Sequence, residues 1–218
     1  MTGRRVIRVQ KDVLAKNEEK AAGNRSRFSA ASVSVLNFVS SPGAGKTSLL
    51  VKTIDGLRGR ARIGVIEGDQ ETDNDARRIA ATGALVTQIN TASACHLDAS
   101  MVDKALDEMS LDGLDMLFIE NVGNLVCPAS YDLGEDMKVV VMSVTEGDDK
   151  PVKYPKMFRA CSVMVISKID LLPHVDFSVA RAIENARLTN PDIEVFELSA
   201  KTGEGLESWR DYLMSRAR

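Results

Sequence analysis

The chain has 218 residues, with 28 Lys and Arg against 31 Asp and Glu and a formal net charge of −3. Hydrophobic residues make up 44% and charged residues 27%, an ordinary globular balance. It lacks the basic excess of a phosphate-backbone binder, so no nucleic-acid partner is expected. Three cysteines do not make a disulfide framework, and an odd count fits a reducing, cytoplasmic setting. No run resembles a signal peptide or is apolar for the length of a bilayer, so no membrane association is expected.

Residues 1–31 stand apart. The stretch 6–31 is charged, with few large apolar residues, and reads as a helical extension lying against the rest or partly loose. From residue 32 to 218 the pattern is that of one domain. Apolar, β-branched runs at 33–40, 62–67, 85–90, 116–120, 139–144, 163–167 and 194–198 predict strands, most of them nearly continuous and so expected to be buried on both faces of a sheet. Between them, 46–57, 73–81, 99–109, 175–188 and 206–214 predict helices. Such alternation means an α/β fold with a doubly wound, mostly parallel sheet flanked by helices. The charged connection 145–154, TEGDDKPVKY, is either a functional or a mobile loop.

The first strand ends in Ser40-Ser41-Pro42-Gly43-Ala44-Gly45-Lys46-Thr47-Ser48. This is the phosphate-binding G-x-x-x-x-G-K-[ST] pattern with serine at its first position. Gly43 and Gly45 let backbone N–H groups of residues 43–48 turn toward phosphate oxygens, and the helix starting at Lys46 points its positive end at them. Lys46 is placed to neutralise the β- and γ-phosphates, and the Thr47 hydroxyl to ligate Mg²⁺.

Two later strand ends bear on the base. Ser167-Lys168-Ile169-Asp170 resembles the N-K-x-D guanine motif, in which the aspartate accepts from the N1–H and the 2-amino group of guanine. The Lys168 stem would flank the base. Serine in place of asparagine makes one bracing hydrogen bond shorter or removes it. Ser199-Ala200-Lys201 resembles the motif that brings a backbone N–H to guanine O6. Together the two favour GTP and GDP over adenine nucleotides.

Carboxylates at the ends of the second and fourth strands are where Mg²⁺ and the attacking water are held. Asp69 is the first candidate for the metal, and Glu120, in Glu120-Asn121-Val122-Gly123, for a water-mediated or switching role. The acidic segment 69–75 reads equally well as a helix start with favourable charges. Cys95, His96 and Cys127 are a third constellation: thiolate and imidazole suit Ni²⁺ or Zn²⁺, while small buried residues in turns are the alternative. Cys95 is expected where a helix begins, a setting that favours thiolate. Three ligands leave a tetrahedral site open, to be completed by water or by a second protomer. Cys161 is expected in the core.

The blocks SPGAGKTSLL, VIEGDQETDNDARRI, ACHLD, FIENVGNLVCPASYDLGE, SVTEGDDKPVKYP, SKIDLLP and SAKTGEG resemble those of the HypB family of hydrogenase nickel-incorporation GTPases, from about residue 37 to 209. The resemblance implies a SIMIBI-class P-loop GTPase that dimerises with GTP. It implies delivery of nickel to nickel–iron hydrogenase with a HypA-type nickel-binding partner, the hydrogenase large subunit being met indirectly. It implies that Cys95, His96 and Cys127 form a nickel or zinc site at or near the dimer interface, that Asp75 is a second Mg²⁺ ligand, and that Lys150 and Lys153 reach the partner's nucleotide. Residues 1–30 lack the Cys-rich or His-rich tract of many members, so high-affinity nickel storage there is not expected. Two alternatives stand beside it: the sister urease-maturation GTPase, whose metal motif has a proline between Cys and His, and a nucleotide-gated binding switch with a structural metal.

Overall fold

The computed structural model describes residues 9–70, 72–92 and 94–218. The expected start of the extension, residues 6–8, lies outside them. Seven strands form one parallel sheet: β1 (Ser34–Ser40), β2 (Ile63–Asp69), β3 (Leu85–Asn90), β4 (Met116–Glu120), β5 (Met137–Ser143), β6 (Val163–Ser167) and β7 (Glu194–Glu197). Their order is β3-β2-β4-β1-β5-β6-β7, with every pairing parallel. The inner strands are buried on both faces, which is why they read as nearly unbroken apolar runs. The order reverses on either side of β1, and ligands of such sheets lie beyond the carboxyl ends at that point.

Helices cover both faces: α1 (Val9–Ala30), α2 (Lys46–Leu57), α3 (Asn74–Ala80), α4 (Ala99–Glu108), α5 (Lys150–Lys153), α6 (Pro155–Ala160), α7 (Val179–Thr189) and α8 (Leu206–Arg216). Trp209 of α8 is fully buried. It lies edge-on to Phe38 and Phe196, and its Nε1–H donates to Thr53 Oγ1 at 3.0 Å. The indole is thereby satisfied where it is buried, and α8 is pinned to α2. α1 lies along α4: Phe28 is in the core, Asn24 Nδ2 donates to the carbonyls of Ala99 and Leu133, and Arg27 reaches Asp103, Asp107 and the Leu106 carbonyl.

Three differences from the expected elements have local causes. α7 begins at Val179 rather than 175, because Ser178 caps it by accepting from Arg181 N–H, while Ile169–His174 winds as a 3₁₀ segment. Within 145–154, residues Lys150–Lys153 make the helical turn α5, with Pro151 buried. α6 and the 3₁₀ turn Cys127–Ser130 carry proline in their first turn, where a missing N–H costs nothing, and are too short to show a period.

A phosphate loop and a cysteine–histidine corner at the carboxyl edge

The loop between β1 and α2 turns through Gly43 (φ 74°) and Gly45 (φ 97°), left-handed conformations that favour glycine. It walls a cavity of about 500 Å³ with Asp69, Asp75, Glu120 and Gly123. Lys46 Nζ donates to Ser40 Oγ at 3.0 Å, so the serine in place of the motif's first glycine braces the lysine. Thr47 Oγ1 donates to Glu120 Oε1 at 2.7 Å. Glu120 is buried, and its Oε2 has no hydrogen-bond partner. Burial pushes its carboxyl pKa up, against the pull of Lys46 and the Thr47 hydroxyl. Glu67 stands opposite it in the β2–β4 register. Burial, then the Glu120 charge, pushes Glu67 up to about 8.

Asp69 accepts from Gln70 N–H and Thr72 Oγ1. Asp75 sits in the first turn of α3 and pairs with Arg78 at 3.0 Å. The acidic segment is thus a helix start and a cavity wall at once. Gly123 rests on the phosphate loop: a Cβ there would fall 3.1 Å from Pro42 Cα and N. Movement of the loop therefore reaches the Glu120–Gly123 turn directly.

A second cavity, of about 420 Å³, adjoins the first and is walled by Ser48, Val51, Lys168, Asp170, Leu198 and Ala200 among others. Ser167 keeps the brace that its shorter side chain put in question, donating from Oγ to the Ala44 carbonyl at 2.6 Å. Lys168 holds φ 61° and donates to the Gly43 carbonyl at 2.7 Å. Ser199 Oγ donates to Asp170 Oδ1 at 2.6 Å and accepts from Lys201 and Thr202 N–H. The two guanine-type motifs are therefore bonded to each other and to the phosphate loop.

Cys95, His96 and Cys127 come together, their ligand atoms within 4.8 Å of one another. The two Sγ atoms are 3.2 Å apart, and Cys95 Sγ is 3.8 Å from His96 Nδ1. Contrary to expectation, Cys95 does not begin a helix; it lies in a bend ahead of α4, whose cap is Asp98. Burial lowers the His96 pKa, favouring the neutral imidazole that ligates metals, and its ring lies 4.0 Å from that of Tyr131. The hydrogen bond to Cys95, then burial, raises the Cys127 thiol. Asn121 ties this corner to the phosphate end. Its Oδ1 accepts from Leu97 N–H and Val122 N–H, while Asn124 Nδ2 donates to the Cys95 carbonyl.

A family model for the CobW/HypB/UreG nucleotide-binding domain matches residues 34–197. The chain belongs to this family. The hydrogenase maturation factor HypB of Rhizobium leguminosarum bv. viciae is 56% identical over 219 residues, spanning 100% of this chain and 73% of that protein. The crystal structure of HypB from Helicobacter pylori in complex with nickel matches with a TM-score of 0.87 and 42% identity over 92% of this chain and 94% of that one. The signal recognition particle 54 kDa protein from Aeropyrum pernix K1, in complex with GDP, shares the fold alone, with a TM-score of 0.58 and 13% identity over 84% and 46% of the two chains. The doubly wound parallel fold and the HypB likeness expected from the motifs are both found.

In this HypB-family chain the two loop lysines part company. Lys150 pairs with Glu146 and donates to Ser41 Oγ in its own phosphate loop, whereas Lys153 is exposed and pairs with Asp149 at 2.6 Å. Cys161 is buried, as expected. The motifs gave no role to Arg78, Asn121, Glu67 or Tyr131. Only Arg78 carried a local signal, one helical turn after Asp75. Among the described residues no helix is long and apolar enough to cross a membrane.

Proposed function

We propose that this HypB-family chain is a slow GTPase whose nucleotide state controls nickel held at Cys95, His96 and Cys127, and that it serves nickel insertion into hydrogenase. The observation that carries the reading is the short segment from Glu120 to Cys127. Its first residue accepts from Thr47, its Gly123 rests on Pro42, and its last residue belongs to the metal corner. The names of the relatives supply the hydrogenase client. Nickel is cargo; zinc fits the same donors. A HypA-type protein is the proposed nickel partner, with the hydrogenase large subunit met indirectly, in the cytoplasm. Residues 1–31 form an extension to a GTPase domain at 32–218.

The N–H groups of residues 43–48 and Lys46 hold the phosphates, and Asp170 with Ser199, Ala200 and Lys201 selects guanine. Thr47, Asp69 and Asp75 would hold Mg²⁺, with Glu120 behind them. The unpartnered Glu120 oxygen beside a hydroxyl in an acid-lined cavity fits a hard divalent ion, which neutralises charge on the phosphate oxygens. Asp69 and Glu120 orient the attacking water. With no arginine finger assigned, turnover is about 10⁻⁴ to 10⁻² per second. Three protein ligands leave the metal corner open, which suits release and a site shared across a GTP-dependent homodimer. In that dimer the exposed Lys153 reaches the partner's phosphates, while Lys150 braces its own loop.

Sedimentation with GDP and with a non-hydrolysable GTP analogue, each with and without nickel, tests the reading. Dimers confined to the triphosphate state, with a different nickel affinity from the diphosphate state, are expected. By linkage the nickel-induced change in nucleotide affinity must be equal. One oligomeric state and one nickel affinity throughout would overturn it.

A further inference from the structure

Arg78 is a cation of both cavity walls to which the nucleotide motifs give no role. It lies on α3, facing α2. Its Nη2 donates to Ser48 Oγ at 3.0 Å, and its Nη1 to Asp75 Oδ1 at 3.0 Å. Arg78 and Ser48 wall both cavities, the phosphate end and the base end. A nucleotide lying in both must pass between them with the atoms that join base to terminal phosphates, the ribose and the α-phosphate. Ser48 is the third residue of α2. On the nucleotide reading above, Lys46 takes the terminal phosphates and Thr47 the cation, which leaves Ser48, on the wall shared with the base end, for the α-phosphate. The guanidinium is one hydroxyl away. It has five donors in a fork that matches phosphate oxygens, and the two bonds described engage two of them.

We propose that Arg78 grips the α-phosphate of the bound nucleotide, and that Asp75 holds it in reserve until a divalent cation takes that carboxylate. The inference rests on the nucleotide reading above and deepens it. Asp75 is at once the partner of Arg78 and a proposed Mg²⁺ ligand. A carboxylate committed to a cation is a poorer partner for the guanidinium, and the nearest remaining anion is the α-phosphate. Arg78 then contributes to affinity mainly when Mg²⁺ is present. A passive strut between α2 and α3 would not behave so, since its bonds to Ser48 and Asp75 need no cation. Arg77 is the internal control. It is adjacent in sequence, pairs with Asp73 and is largely exposed.

The test is displacement of a fluorescent GDP analogue from the full chain by guanosine, GMP, GDP and a non-hydrolysable GTP analogue, in Mg²⁺ and in EDTA. In Mg²⁺, Arg78→Ala is expected to raise the Kd of GMP, GDP and the analogue about tenfold, the size of a charge-assisted contact. Guanosine should stay within about twofold, Arg78→Lys should recover part of the loss, and Arg77→Ala should change nothing. In EDTA the Arg78→Ala loss should fall below about threefold. Loss of guanosine binding equal to that of GMP, or no loss for any ligand, overturns the α-phosphate contact. An equal loss in Mg²⁺ and EDTA overturns release by the cation. Arg78→Met keeps the apolar stem and replaces the alanine variant if that one melts early. Native preference for GDP over ADP is measured alongside. Its absence would remove the guanine assignment, and the Arg78 comparison would then be read on AMP and ADP.

Discussion

The nucleotide end and the cysteine–histidine corner sit on one edge of the sheet and are built by different means. In the phosphate loop, main-chain groups are the proposed binding elements and side chains brace them: Lys168 and Ser167 hold the carbonyls of Gly43 and Ala44, and Ser199 holds Asp170. In the cysteine–histidine corner the side chains are themselves the proposed ligands, on two loops tied by Asn121 and Asn124. The difference explains which departures from a motif are harmless. Serine at residues 40 and 167 leaves the backbone in place and finds a bond of its own. The corner has no such reserve, because each of its three residues offers a single ligand atom.

Substitutions at each end sharpen this contrast. Lys46→Ala should weaken triphosphate binding at least about 100-fold, since a charge-assisted contact is lost inside a site shaped for it; equilibrium titration with a GTP analogue measures it. Cys95→Ser or Cys127→Ser should remove one equivalent of nickel or zinc per chain or per dimer and leave the GDP Kd within about twofold, while His96→Ala only weakens the metal. Metal titration followed by nucleotide titration on the same sample checks both halves. Asn121→Ala is the variant that breaks the separation. It orphans the buried N–H groups of Leu97 and Val122, costs about 1–3 kcal/mol for each, and should make nickel affinity insensitive to the nucleotide; denaturant melts and paired nickel titrations report the two effects. Asp170→Asn should weaken GDP about tenfold while ADP stays put, because an amide does not accept from both guanine donors. Ser167→Ala should have the smallest effect, about 1 kcal/mol of lost brace felt equally by both nucleotides in competition assays.

The five inner strands were legible because strands buried on both faces announce themselves as apolar runs; the edge strands β3 and β7 are half-exposed, contrary to that expectation, and were legible by their β-branched and aromatic residues. The bounds of α2 follow from the glycine-rich turn before it and the apolar stripe along it. The short elements were not, since Cys127–Ser130, α5 and α6 are set by prolines and by what they pack on rather than by a period. Val175 extends the apolar spacing of α7 backward, whereas the helix starts only after the capping serine at 178. In the site, residues spaced along one loop were readable: Gly43 to Ser48, Ser167 to Asp170, Cys95 with His96. Arg78, Tyr131, Glu67 and Asn121 were not, because their partners are brought by strand register and helix packing from distant parts of the chain. The Lys150 contacts were hidden for the same reason: nothing in TEGDDKPVKY announces that its ammonium folds back to Glu146 and Ser41.

Cys161 sits at the end of α6, its carbonyl taken by Asn190 Nδ2 at 2.8 Å and its thiol sealed in the core, where burial pushes its pKa up to about 12. A thiol so placed is inert to alkylation while the chain is folded. Cys95 and Cys127 are only half-buried. A maleimide count on the native protein should therefore register the two corner thiols and ignore the third, and bound metal should silence both. The sealed cysteine turns an ordinary labelling experiment into a gauge of cargo loading, with the denatured chain as its internal full-scale mark.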